Sequence, residues 1–208
     1  MSDLSDTPAT MDEVEATLNA RLRPLSVDEY MTLVRQGVFD NERVELLRGR
    51  VVRMALQGEE HAWTSGSLNN LLVQQFGKWA TVRPGAPVRA GDYSMPEPNF
   101  ALVPHSGAPG PHPSKTFLLI EISKSSLRDD RRIKAPLYAN DAHHENAEES
   151  VAPEYWIVNV VEGVLEVFRG PENGGWKEHF TLSGADVIRP VSFPDVEFPL
   201  TFLQPKKH

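Results

Sequence analysis

Glu121 stands inside Phe117-Leu118-Leu119-Ile120-Glu121-Ile122-Ser123, a run otherwise apolar enough for a strand buried on both faces. A buried carboxylate without a partner is strongly disfavoured, so this position demands a cation. A hard divalent ion such as Mg2+ (or Mn2+) meets the demand at the end of a strand, given a second acidic ligand from a neighbouring strand. The natural neighbour is Pro96-Glu97-Pro98-Asn99-Phe100-Ala101-Leu102-Val103. The rival answer is an ion pair with Arg131 or Lys134, a purely structural role. Lys124, three residues beyond Glu121, joins Arg128, Arg131 and Arg132 in placing positive charge near the same strand end. That cluster suits a phosphate backbone, or else is a solvated helix face.

These residues need elements to hold them. Ser26-Val27-Asp28-Glu29 is a capping box opening the apolar pattern Tyr30, Leu33, Val34, which predicts a helix ending at Gly37. RVELLRGRVVRM (43–54) reads as two extended runs reversed at Gly49, an antiparallel hairpin with Glu45 in its first strand. From Glu59 to Ala80, Leu68, Leu71, Leu72, Phe76 and Trp79 recur at three- and four-residue spacing, which predicts one amphipathic helix covering a sheet face. TVRPGAPVRA (81–90), PNFALV (98–103) and TFLLIEIS (116–123) read as strands, the last two separated by a loop rich in Pro and Gly. Residues 128–140 have helical composition, with Pro136 forcing a kink or a break. The polar stretch 140–150, containing His143-His144 without a chelating helical spacing, reads as a surface loop. EYWIVNV, GVLEVFRG and WKEHFTL finish as strands, with turns at Gly163 and Gly174-Gly175. This order describes an α/β (α+β mixed) domain with a mixed sheet. Trp63, Trp79, Trp156 and Trp176 show no stacking array and are assigned to packing.

Composition narrows the function classes. The 208 residues fit one domain, taken as 25–203, between an N-terminal tail (1–24, with composition for a short helix at 12–22) and a C-terminal tail (204–208). With 29 acidic against 21 basic residues the formal charge is -8, so any surface for DNA must be local. There is no cysteine, hence no disulfide framework and no thiolate zinc site, and the cytoplasm is the expected location. No long apolar run and no basic-then-apolar leader is present, so neither a membrane span nor secretion by that route is expected. No internal repeat, phosphate loop or dinucleotide fingerprint points to a nucleotide cofactor.

MPEPNFALV, then FLLIEISKSSLRDDRRIKAPLYA, then PEYWIVN, with VELLRGRVVRM upstream, resembles the ordered pattern of the Uma-type restriction endonuclease family. That family is a branch of the PD-(D/E)XK nuclease superfamily. Its pattern is a Pro-Asp strand, an E-x-S strand, a D-x-x-x-K helix and a PEYWIV strand, and the resemblance covers roughly residues 25–200. It implies a restriction-endonuclease-like core, with a mixed central β-sheet flanked by helices. It implies a Mg2+- or Mn2+-dependent endonuclease acting on DNA, working as a homodimer because two strands need two sites. By position it makes Glu121 and Asn99 metal ligands and Lys134, 13 residues after Glu121, a catalytic assistant; Glu45 is an additional acidic residue. His61 matches a histidine common in the family, although a lone histidine is more often structural.

Departures from the pattern matter as much as matches. The family has Asp where this chain has Asn99, which removes one negative charge from the expected metal site. Natural loss, a tolerated ligand and an engineered exchange all account for Asn99. The family's hairpin commonly ends Asp-Gly-Glu, whereas this chain reads Arg48-Gly49-Arg50. The 140–150 stretch is longer than the family's usual turn. Two functions follow: a metal-dependent DNA endonuclease impaired at Asn99, or an inactive pseudo-nuclease serving as a DNA-binding or protein-interaction module.

Overall fold

The structure, a computed structural model, describes residues 10–19, 21–139 and 151–203. The 140–150 segment with His143-His144, the 204–208 tail and residues 1–9 lie outside the described residues. A short helix, α1 (Met11–Asn19), buries none of its side chains. In α2 (Val27–Arg35) the capping box forms as the sequence predicts: Ser26 Oγ accepts from Glu29 N at 3.2 Å, and the Glu29 carboxylate accepts from Ser26 N at 2.9 Å.

β1 (Val44–Leu47) and β2 (Arg50–Arg53) form a separate antiparallel ribbon. Their two-residue turn needs positive φ at both positions, supplied by Arg48 (φ 50°) and Gly49 (φ 74°). A Cβ on Gly49 would lie 2.3 Å from Pro24 Cβ, so glycine is required there for space as well as for conformation. The ribbon is tied to the body through β1, where Met95 N donates to Leu46 O at 2.7 Å, while every residue of β2 stays exposed.

Six strands make the central mixed sheet: β3 (Thr81–Pro84), β4 (Phe100–Val103), β5 (Leu118–Ser123), β6 (Glu154–Asn159), β7 (Val164–Glu172) and β8 (Gly175–Ser183), side by side in that order. Only β5 and β6 run parallel. One face packs under α3 (Glu59–Phe76) through Leu68, Leu72 and Phe76, against Phe100, Ile120 and Trp156. The opposite face carries Ala101, Leu119, Tyr155 and Ile157, covered by Leu137 and Tyr138. Strand alternation therefore sends Leu118, Ile120 and Ile122 toward α3 and Leu119, Glu121 and Ser123 the other way.

Three segments differ from the sequence expectation, the first being α3, which ends at Phe76 where the stripe predicts a helix running to Ala80. The strand expected over 81–90 stops at Pro84, because Gly85 turns with φ 49° and Val88 and Ala90 then donate locally to Pro96 O and Ser94 O. The helix expected at 128–140 is three pieces: α4 (Leu127–Asp129), a π-helical turn (Asp130–Lys134) and α5 (Ala135–Tyr138). Ala135 N reaches back five residues to Asp130 O, and this wider turn relieves the clash that the Pro136 ring would make with the preceding turn. Of the tryptophans, Trp156 is buried, whereas Trp63 (46%) and Trp79 (48%) are half exposed. No helix among the described residues is long and apolar enough to cross a membrane.

Candidate active site

The π turn sets the chemistry of the second face. It turns Asp130 and Lys134 inward, where both are buried, and Tyr138 follows one turn later. Lys134 Nζ donates to Glu121 Oε1 at 3.0 Å and lies 3.1 Å from Glu45 Oε2. Glu121 Oε1 also accepts from Tyr138 OH at 3.2 Å, and Glu121 Oε2 accepts from Asn99 N at 3.3 Å. Glu45 Oε2 accepts from Glu97 N at 3.0 Å, which ties the ribbon to the chain just before β4. Asp130 Oδ2 accepts from Ser123 Oγ at 2.5 Å and Ser126 Oγ at 2.8 Å, fixing the turn between β5 and α4.

Three buried carboxyls, Glu45, Glu121 and Asp130, thus face one buried ammonium. Burial, with the Asp130 and Glu45 charges adding, pushes the Glu121 carboxyl up to about 8 against the pull of Lys134. Burial likewise raises Asp130. For Lys134 burial acts downward, but Glu121, Glu45 and Asp130 outweigh it and hold the ammonium charged. Because Glu121 binds its proton more tightly folded than unfolded, its stabilising contribution is complete below about 4.5 and is lost as pH rises toward about 8. Urea unfolding across that window is expected to show stability falling with pH, by on the order of a few kcal/mol, and Glu121→Gln is expected to flatten that fall.

Asn99 is held on both sides. Its Oδ1 accepts from Ile122 N at 2.7 Å, which orients the amide, so Nδ2 must face His61 Nε2 at 3.0 Å. Nδ2 is a donor; His61 therefore accepts at Nε2 and carries its proton on Nδ1, which is buried without a partner. Burial holds His61 below the usual imidazole range, keeping it neutral.

Above this cluster opens a cleft of about 550 Å³. One wall is Val52–Gly58, running from β2 to α3; the other includes Lys124, Ser125, Ser126 and Ile133. The structure brings Glu45, Asn99, Glu121, Lys124 and Lys134 to this cleft. It does not bring Arg128, Arg131 or Arg132 to its lining. Arg131 makes a two-pronged bond to Glu166 at 2.7 and 2.8 Å, and Lys124 pairs with Glu60. Asp130, the acid of the D-x-x-x-K pattern, and Tyr138, four residues beyond Lys134, are members that the sequence did not mark as site residues.

A divalent cation suits this donor set. Carboxyls outnumber ammonium groups three to one, and burial with the neighbouring carboxylates pushes the Glu121 carboxyl up in spite of Lys134. No group of three or more His, Asp or Glu side chains among the described residues is placed to hold a metal ion by itself. Mg2+ does not require one, since it is commonly held by one or two carboxylates, water and a substrate phosphate. Glu121 and Glu45 both lie within 3.1 Å of one Nζ, and beside them the Asn99 side chain offers an uncharged oxygen already bonded to Ile122 N.

Comparison with known proteins agrees with this architecture. The family model Uma2, described as "Putative restriction endonuclease", matches residues 27–201. Among solved structures, a crystal structure from Anabaena variabilis, described as "a putative nuclease belonging to DUF820", superposes with a TM-score of 0.59 at 13% identity. The superposition covers 94% of this chain and 97% of that one. At that identity the likeness speaks for the fold. No curated protein matches the chain.

Proposed function

The chain belongs to the Uma2 restriction endonuclease family, and from that premise we propose that its cleft is a phosphodiesterase site for DNA that works with Mg2+ or Mn2+. The observation that carries the proposal is Lys134 Nζ held between Glu121 and Glu45 at the floor of an open cleft. Glu121 and Glu45 would hold the ion, with Asn99 as a weak third donor. Bound there, the ion supplies Lewis acidity and a water of lowered pKa.

The remaining work falls to the protein. Lys134, drawn off the carboxylates, donates toward the charge that develops on the scissile phosphate. Tyr138 OH and Asn99 N keep Glu121 in place while Lys134 shifts. Ser123 and Ser126, locked on Asp130, fix the wall along which the substrate lies. Cutting both strands of a duplex takes two such sites, which a homodimer would supply.

Supercoiled plasmid incubated with Mn2+ is expected to be nicked slowly by the wild-type protein and not at all by Glu121→Ala. Equal nicking by both would remove the proposed site. One observation favours a second reading, in which the cleft binds DNA without cutting it: both polar side-chain atoms of Asn99 are already engaged, so it brings the site no charge and only an oxygen that already accepts one bond.

A further inference from the structure

The β1–β2 ribbon is not used by the chemistry above, apart from Glu45. Residues 42–53 hold four arginines, Arg43, Arg48, Arg50 and Arg53, against two acids, Glu42 and the buried Glu45, and Arg43 pairs with Glu97 at 2.8 Å. In a chain of net charge -8 this is a local excess of positive charge. β2 is an exposed edge, Arg50-Val51-Val52-Arg53, and a two-stranded ribbon has the dimensions to enter the major groove of a duplex. Its next residues form one wall of the cleft, and there Leu56 is 94% exposed beside Met54 and Gln57. Arg53 is paired with Glu42 at 3.0 Å, but both side chains are open to water, and such surface pairs contribute so little that phosphate displaces them readily. By contrast, Arg131 is committed to the buried Glu166 carboxylate.

We propose that this ribbon and the Met54–Gly58 segment form the lip that grips duplex DNA. Arg50 and Arg53 bind phosphates, and Leu56 packs against the bases next to the scissile position. The proposal rests on the DNA-directed reading of the cleft and names the surface that reading lacks. An apolar side chain wedged between neighbouring bases unstacks the step, as wedges inserted from the minor groove do, so Leu56 distorts the duplex that the arginines hold.

The test is fluorescence anisotropy of a labelled duplex in EDTA over a salt series, with 2-aminopurine opposite the cleft as a reporter of unstacking. Arg50→Ala/Arg53→Ala is expected to reduce the slope of log K against log salt by about 2 and to weaken binding at low salt more than tenfold. Leu56→Ala is expected to leave the slope unchanged and abolish the 2-aminopurine signal. Arg128→Ala/Arg132→Ala is the control and is expected to change neither. An unchanged slope in the ribbon variant, or loss of slope in the control instead, overturns the proposal while leaving the cleft reading intact. No salt-dependent binding by the wild-type protein overturns both. All five positions are exposed, and circular dichroism checks that each variant is folded.

Discussion

Asn99→Asp is expected to raise Mn2+-dependent DNA cleavage by roughly 10–100-fold when the metal is below saturation. The surroundings of position 99 are those of a carboxylate. One oxygen is met by the Ile122 N–H, and the second position faces His61 Nε2. Asparagine puts a donor at that second position, which forces the histidine proton onto the buried, unpartnered Nδ1. Aspartate there would accept from Nε2–H, leave Nδ1 unprotonated and return one negative charge beside Glu121. A carboxylate at 99 thus relieves an orphaned donor and strengthens the hold on a cation. Steady-state nicking of plasmid by the two proteins checks this; an unchanged rate places the defect elsewhere.

Lys134→Ala is expected to cost about 3–5 kcal/mol at neutral pH, since it strips the one ammonium from a buried set of carboxyls. The loss should shrink on acidification, as Glu121 and Asp130, both raised by burial, take up protons. Divalent ion should restore part of it: about 2.7 kcal/mol when the free ion is at 100 times its Kd, and more than in the wild-type protein, where Lys134 competes for the carboxylates. Urea unfolding with and without Mn2+ measures both effects. A variant as stable as wild type would show that the ammonium is not the internal counter-ion of the cluster.

Glu121 was legible from the residues alone, because a carboxylate in an apolar strand must be compensated wherever the strand lies. Lys134 was legible only as one of two rival ion-pair partners for Glu121, while Glu45, considered alone, is an ordinary hairpin acid that only the resemblance to a family drew in. For Lys134 the reason lies in the π turn at Asp130–Lys134, which decides which side chains point inward and departs from the ordinary helical period. The same turn hides Asp130 and Tyr138. Arg131 looks like part of a basic surface until Glu166, 35 residues on, is found buried across from it. Pairings this distant are set by sheet order, and local pattern is silent about them. The elements were easier to read: the capping box at Ser26 and Glu29, the Gly49 reversal and the α3 stripe each rest on local physics. The mixed sheet and its flanking helices agree with the expected architecture.

Glu121 and Glu45, with Lys134 between them, are proposed to form a divalent-cation site weakened at position 99. Calorimetric titration of Mn2+ into wild-type, Asn99→Asp and Glu121→Ala protein reads the affinity of that site without relying on turnover. The expected result is weak binding by the wild type, roughly 10–100-fold tighter binding by Asn99→Asp and none by Glu121→Ala. Binding by Glu121→Ala as strong as that of the wild type would contradict it.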